Sequence, residues 1–175
     1  MDIAIYTPNL VNVHIGAIFC DMDQVLTNFL GGGRKALGRE INDLGMDNDK
    51  WPVLINQILE FWLNLEWMPN AQRIWERIYK KDVYILTVCP PVELNPFAGP
   101  QKKRWCEREL GISQDRVITV LDRKGKLKYS RHGGRPNLII DDHLATVLDW
   151  SLRDGNAVWH QTVPETLRDL RQFGL

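Results

Sequence analysis

The chain has 175 residues, which is enough for one domain that buries roughly 70% of its unfolded surface without the help of disulfides. It carries 22 basic and 22 acidic residues, and this balance argues against a general binder of nucleic-acid polymers. The three cysteines are irregularly spaced, and neither a leader peptide nor a membrane-length apolar run is visible, so we expect a cytoplasmic protein without a membrane contact.

Two apolar stretches open the chain. Ile3–Tyr6 predicts a short edge strand, and Ile15–Cys20 leads directly into two acidic residues, Asp21 and Asp23. The second stretch is apolar on both alternating faces, which predicts a buried parallel strand, and open α/β sheets bind ligands where such strands end. Two carboxylates there would repel each other unless a cation lay between them, and Mg²⁺ prefers such oxygen ligands. The alternative is a solvated acidic turn, because Asp-x-Asp is common in turns.

The next segment is predicted to be an insertion. Gly31–Gly33 suggest a flexible crossing, and residues 34–68 predict aromatic-rich helices. An apolar stripe at helical spacing favours packing onto the main core, and a second interpretation places its inner aromatic side chains over a substrate. We therefore divide the chain into a core of residues 1–30 and 69–175 and a small helical cap of residues 31–68.

A second buried strand is predicted at Val83–Leu86, and it ends at Thr87. A hydroxyl at a strand end, followed by free backbone N–H groups that begin at Val88, is typical of a phosphate-binding loop. Cys89 lies in the same loop, but a cysteine phosphatase requires arginine six residues later, and Asn95 stands there. The pattern therefore argues against a thiolate mechanism.

Two helices are predicted around this strand. Asn70 is the expected N-cap of a helix over residues 71–81, and another helix spans residues 100–110. Three consecutive basic residues, Lys102 to Arg104, lie near the start of the second helix. They predict either a solvated basic face or an auxiliary anion-binding site.

A second acidic pair follows another buried run. A strand at residues 117–120 and a basic cluster at residues 123–129 precede an apolar run at residues 137–140, which stops at Asp141 and Asp142. With the first acidic pair, these carboxylates would complete an oxygen cage for Mg²⁺. Since strands alternate with helices along the chain, we expect an α/β domain with a parallel sheet.

Four stretches together resemble the motifs of the haloacid dehalogenase-like (HAD) phosphohydrolases. They are Asp21-x-Asp23-x-Val25-x-Thr27, Leu86-Thr87-x-x-Pro90, Lys126-x-x-Tyr129-Ser130 and Ile139-Ile140-Asp141-Asp142. The resemblance extends from about Ile15 to Trp159. Within the superfamily, the first stretch looks most like the 5′(3′)-deoxyribonucleotidase branch and its small phage and bacterial relatives, which usually carry glycine where this chain has Gln24.

The resemblance implies a fold and a set of roles. The fold is a HAD-like Rossmannoid parallel sheet flanked by helices, with a small helical cap inserted after the first catalytic strand. Asp21 would be the nucleophile that forms an aspartyl-phosphate, and Asp23 the general acid and base. The remaining predicted residues bind phosphate (Thr87, Val88 and Lys126), metal (Asp21, Asp23, Asp141 and Asp142) or substrate (Phe29 and Trp62). Lys128 is the alternative to Lys126, and which of Asp141 and Asp142 binds the metal directly is left open.

The expected function is that of a Mg²⁺-dependent phosphomonoester hydrolase, specifically a 5′-nucleotidase of (deoxy)nucleoside monophosphates. One alternative is a phosphatase of a sugar phosphate, another metabolite or a nucleic-acid terminus. Several polar side chains of the inserted region would suit it, namely Asn28, Asn56, Gln57, Asn64 and Glu66. Another is a non-catalytic HAD-fold binding protein, against which the intact motif residues argue. The predicted partner is a small phosphorylated molecule, and a homodimer is left open.

Overall fold

The structure is a computed structural model that describes residues 15–38 and 50–175. The edge strand expected at Ile3–Tyr6 and part of the predicted cap lie outside the described residues.

One parallel sheet forms the centre of the protein. Its strands are β1 (Ile18–Cys20), β2 (Val83–Val88), β3 (Val117–Val120), β6 (Leu138–Asp141) and β7 (Asn156–Trp159), whereas β4 (Arg131–His132) and β5 (Arg135–Pro136) form a separate antiparallel pair. The order across the sheet is β3-β2-β1-β6-β7. Cys20 is in register with Ile85 of β2 and Ile140 of β6, so the chain leaves β1 and β6 at adjacent points of the same edge.

Helices flank the sheet. They are α1 (Phe29–Leu37), α2 (Lys50–Asn56), α3 (Gln72–Ile78), α4 (Ala98–Leu110), α5 (Leu144–Ser151) and α6 (Val163–Leu170), with short 3₁₀ helices at Gln114–Arg116, Lys124–Tyr129 and Arg171–Phe173. In the parts of the chain that the structure describes, no helix has both the length and the apolar character needed to cross a membrane.

The core lies on both faces of the sheet because successive strand residues point to opposite sides. Ile18 and Cys20 of β1 pack with Trp105 of α4 on one face, and Phe19 packs with Trp150 of α5 on the other. Fully burying side chains of this size contributes roughly 1.5–3 kcal/mol each. This packing fixes β1, and therefore fixes the point at which Asp21 leaves the sheet.

Two predictions about the inserted segment are wrong. Gly31–Gly33 lie within α1 rather than in a flexible crossing, and the Asn28 side chain caps the helix by accepting a hydrogen bond from Gly31 N at 3.0 Å. A Cβ on Gly32 would lie 2.6 Å from Leu65 Cδ2, so a larger residue there would require the Leu65 side chain to move. Residues 57–64 form turns and residues 65–68 are irregular, with Trp67 in an isolated bridge to Thr27, instead of the predicted helix.

The predicted N-cap at Asn70 is also wrong. Asn70 has a left-handed backbone, with φ of 64°, whereas an N-cap residue needs an extended one. Ala71 takes the N-cap position without a side-chain hydrogen bond, and α3 is shorter than the helix expected over residues 71–81.

Candidate active site

Three carboxylates meet at the carboxyl-terminal edge of the sheet. Asp21 follows β1, Asp141 is the last residue of β6, and Asp142 comes next in the chain. One carboxylate oxygen from each lies within 4.8 Å of the others. The register of β1 and β6 explains this proximity, and Asp21 N donates a hydrogen bond to Ile140 O at 2.9 Å.

Lys126 lies between two of these carboxylates. Its side chain is buried, and its Nζ is 3.0 Å from Asp21 Oδ2 and 2.8 Å from Asp141 Oδ2. Burial alone would lower the pKa of Lys126, but the two carboxylates raise it to about 12, so the side chain stays charged. Lys128 is exposed, and its Nζ lies 5.0 Å from the ring centroid of Tyr129. The structure therefore places Lys126, and not Lys128, at the carboxylates.

The charges around Lys126 fit a divalent cation. Burial, together with the negative charge of Asp21, raises the pKa of Asp141 to about 6 and that of Asp142 to about 7. Three ionised carboxylates and one ammonium group would leave a net charge of about −2. The available ligand atoms are oxygens, which Mg²⁺ prefers, and a bound cation would keep all three carboxylates ionised.

Asp23 lies apart from this group. Its Oδ2 is 2.6 Å from Lys102 Nζ, and its Oδ1 accepts a hydrogen bond from Thr27 Oγ1 at 3.2 Å. Burial raises the pKa of Asp23, and the charge of Lys102 partly offsets that rise. The four carboxylates predicted to share one metal are therefore arranged as a group of three and a separate Asp23.

Lys102 is a part of the site that the sequence did not assign to it. Of the two alternatives predicted for Lys102, the solvated face is wrong because the side chain is 0% exposed, and the auxiliary anion-binding site stays a prediction. Besides the contact with Asp23, its Nζ donates to Thr87 Oγ1 and to Val88 O, both at 2.8 Å. The two residues predicted to bind phosphate at the end of β2 thus both contact Lys102.

A sequence signal for Lys102 was available. The buried side chains of α4 are Ala98, Lys102, Trp105, Cys106 and Leu110, which is the spacing of one helix face. A lysine inside such an apolar stripe, rather than beside it, indicates a buried charge with a specific partner.

The aromatic residues of the insertion lie next to Lys102. The ring of Phe29 stacks on Trp62 with centroids 5.2 Å apart, and Lys102 Nζ lies 4.5 Å from the Trp62 ring centroid. Trp62 is only 1% exposed, so a base could not stack on it without displacing a neighbour. Phe29 is half-buried and retains accessible surface. The two predicted substrate contacts thus lie against each other, with Phe29 the more exposed of the two.

Gln24 shapes the turn that carries Asp23. Its φ is 60°, the left-handed conformation that glycine adopts most readily. Its Oε1 accepts a hydrogen bond from Leu30 N at 3.0 Å, and its N–H donates to Thr27 O at 2.8 Å. The tight turn therefore forms without glycine.

Comparisons with solved structures identify the fold. A hydrolase from Streptococcus pneumoniae TIGR4 matches with a TM-score of 0.51 and 11% identity, over 92% of this chain and 100% of that chain. A 2-haloacid dehalogenase from Pseudomonas syringae pv. Tomato DC3000 matches with a TM-score of 0.44 and 13% identity, over 89% of this chain and 99% of that one. No protein-family model matches the chain, and no curated protein sequence does. The chain has the α/β, HAD-like Rossmannoid fold, a parallel five-stranded sheet flanked by helices.

Proposed function

We propose that this protein is a magnesium-dependent phosphomonoester hydrolase that acts through an aspartyl-phosphate on (deoxy)nucleoside monophosphates. One observation carries the proposal. Asp21 stands at the end of the central strand, with its Oδ1 accepting from Met22 N at 2.8 Å and its Oδ2 held by Lys126. Asp23, two residues later, lies outside the three-carboxylate group, and in this proposal it is the group that transfers the proton.

The first half of the reaction forms the covalent intermediate. A carboxylate oxygen of Asp21 attacks phosphorus, and the bond between phosphorus and the leaving oxygen breaks. Asp23 gives its proton to that oxygen, so the alcohol leaves neutral and Asp23 becomes a carboxylate. Lys126 fixes the orientation of Asp21 and balances part of the negative charge.

The second half restores the enzyme. A water molecule attacks phosphorus and transfers a proton to the Asp23 carboxylate, and the bond between phosphorus and the Asp21 oxygen breaks. The products are inorganic phosphate, an ionised Asp21 and a protonated Asp23. A magnesium ion held by Asp21, Asp141 and Asp142 would screen the repulsion between the carboxylate and the phosphate. Thr87 and Val88 are the proposed phosphate contacts beside Lys126.

Phe29 supports the choice of a nucleotide as substrate. Its ring retains accessible surface, and Trp62 and Phe61 hold it from behind and from the side. Stacking of a base on an aromatic ring contributes roughly 1–3 kcal/mol. In this proposal, residues 31–68 form the cap that selects the substrate.

A sugar phosphate is the second candidate substrate. A cavity of about 310 Å³ lies between α1 and residues 58–66, and its lining includes Asn28, Asn64 and Glu66. These are polar groups of the kind that sugar hydroxyls need. However, Asn28 caps α1 and Glu66 pairs with Lys35, so both side chains already have partners.

Phosphate release from a panel of monoesters tests the proposal. The panel contains deoxy- and ribonucleoside monophosphates, sugar phosphates and p-nitrophenyl phosphate, each assayed with Mg²⁺ and with EDTA. We expect Mg²⁺-dependent hydrolysis with nucleotides fastest. Phe29→Ala should raise KM for the nucleotide about 5- to 150-fold while changing hydrolysis of p-nitrophenyl phosphate much less.

Phe97→Ala, which truncates an exposed aromatic side chain, is the matched control for that variant. Equal losses on both substrates would make Phe29 a packing residue. Faster hydrolysis of sugar phosphates than of any nucleotide would overturn the nucleotide assignment and leave the phosphatase assignment standing. Full activity in EDTA would overturn the metal requirement.

A further inference from the structure

The ammonium group of Lys102 has three N–H donors, and all three are used. They point to Asp23 Oδ2 at 2.6 Å, Thr87 Oγ1 at 2.8 Å and Val88 O at 2.8 Å. The side chain has no solvent-accessible surface. Lys102 could therefore bind a substrate phosphate only by giving up one of these partners, which argues against a role as a phosphate ligand.

The three partners have a common consequence. Thr87 and Val88 belong to β2, which hydrogen-bonds to β1 and β3 within the sheet, whereas Asp23 lies in the turn after β1. Lys102 therefore connects the Asp23 carboxylate, which lies in a turn, to the carboxyl-terminal end of β2. Lys102 holds Asp23 Oδ2 at 2.6 Å, whereas the single Thr27 hydroxyl proton is shared between Asp23 Oδ1 and Met22 O, both at 3.2 Å. Lys102 is therefore the main restraint on rotation of this carboxylate.

We propose that Lys102 is a positioning residue that holds the Asp23 carboxylate in place for proton transfer and does not itself contact the substrate. This inference rests on the proposed function, in which Asp23 serves both half-reactions from one position. Effective proton transfer requires the acid or base to be within hydrogen-bond reach of the reacting oxygen, so loss of this orientation should slow both halves.

The surroundings of Lys102 argue against a purely structural role. It occupies an apolar helix face on which a leucine or methionine would pack without the cost of desolvating a charge. Other side chains of α4 attach residues 62–65, which we call the anchored limb of the insertion, to the core. Gln101 Oε1 accepts from Trp62 N at 3.0 Å, Trp105 Nε1 donates to Leu65 O at 2.9 Å, and Arg108 donates to Leu63 O at 2.7 Å. The anchored limb is therefore attached to α4 without a contribution from Lys102.

Leaving-group dependence provides the test. In Lys102→Met, we expect kcat for a nucleoside monophosphate to fall by about 10²-fold, the lower end of general acid–base effects, with KM little changed. With p-nitrophenyl phosphate the leaving group needs no proton, so the first half should persist while the second slows. A rapid burst of p-nitrophenolate should then precede slow turnover. The control is Lys81→Met, because Lys81 is exposed and lies just before the first residue of β2, at the end of the strand away from the site.

A double-mutant cycle with Asp23→Asn provides an independent readout. If Lys102 acts through Asp23, Lys102→Met should cost much less activity in the Asp23→Asn background than in the wild type. Circular dichroism melting checks that each variant is folded. Should Lys102→Met fail to fold, the same kinetics are measured on Lys102→Gln, which keeps hydrogen-bond donors and removes the charge.

The outcomes separate the inference from the proposed function. A raised KM with unchanged kcat would make Lys102 a substrate ligand, and equal losses on both substrates without a burst, or additive losses in the cycle, would make it structural. Each of these overturns the positioning role while the phosphatase assignment stands. A wild-type protein that releases no phosphate from any monoester would overturn both.

Discussion

Two buried lysines divide the site into two unlike halves. Lys126 contacts Asp21 and Asp141 next to Asp142, so its surroundings carry more negative than positive charge. Lys102 contacts one carboxylate and two neutral oxygens, so its charge is balanced by Asp23 alone. The first half carries excess negative charge that a cation could balance, and the second half does not. Under the proposed function, this difference assigns metal binding and proton transfer to separate carboxylates.

The largest expected effect comes from removing Asp21, the proposed nucleophile, from the Lys126 half. Asp21→Asn should reduce turnover on the order of 10⁶-fold, the scale seen when a covalent nucleophile is removed. The fold should persist because Lys126 keeps Asp141 as a partner. Steady-state phosphate release measures the loss, and Asp149→Asn, an exposed carboxylate on α5, is the control. Turnover near that of the wild type would exclude the aspartyl-phosphate route.

Removing the lysine of the same half should be the next largest change. Lys126→Met leaves two buried carboxylates uncompensated, and we expect a loss of about 3–5 kcal/mol in the free energy of unfolding, together with a loss of activity. Lys128→Met and Lys124→Met should be nearly neutral because both side chains are exposed. Urea titration and phosphate release rank the three lysine variants. A larger effect of Lys128→Met than of Lys126→Met would make Lys128 the motif lysine.

Magnesium should distinguish the two halves without any assay of activity. At a concentration of 100 times its Kd, the ion should stabilise the fold by about 2.7 kcal/mol, which corresponds to a rise in Tm of about 5–11 °C for a chain of this size. Asp142→Asn should reduce this rise, and Lys102→Met should leave it intact. A rise that is unchanged in Asp142→Asn, or that is lost in Lys102→Met, would contradict the division of roles.

The smallest expected effect concerns the turn that carries Asp23. Gln24→Gly relieves a left-handed backbone that costs a side-chain-bearing residue roughly 1–2 kcal/mol, but it loses the hydrogen bond to Leu30 N and increases unfolded-state entropy. These changes nearly cancel. Gln24→Ala keeps the strain and loses the bond, so it should be less stable than Gln24→Gly by about 1 kcal/mol. A Gln24→Gly variant that is less stable than Gln24→Ala would mean that the turn is not strained, because only the entropy of the unfolded chain would then separate them.

The two halves also differ in how far the sequence predicts them. Asp21 follows a buried strand and Asp141 ends another, and because parallel strands end at one edge of a sheet, their proximity can be inferred from the pattern alone. Lys102 lies 15 residues beyond Thr87, on α4. Its contact with Thr87 and Asp23 depends on how α4 packs against the sheet. The spacing of the apolar face of α4 indicates that Lys102 is buried, but it does not identify the partner of the charge.

The insertion shows the same limit. Three glycines in a row are typical of a flexible linker, yet here they lie in α1, and one of them, Gly32, packs close to Leu65. Asn70 has the chemistry of an N-cap, but the chain turns at that point and requires its left-handed backbone instead. In both cases a tertiary contact decides which of two backbone conformations the residue adopts, and the sequence does not show that contact.

The bonds from α4 to residues 62–65 have a consequence for how substrate range can change. This limb of the insertion is anchored to the core by Gln101, Trp105 and Arg108, so it should exchange its amide hydrogens slowly, together with α4. The first residue of α1, Phe29, lies on the other side of Trp62 and is not held by these bonds. Directed evolution of specificity should therefore accumulate tolerated substitutions in α1 and reject them along the anchored limb.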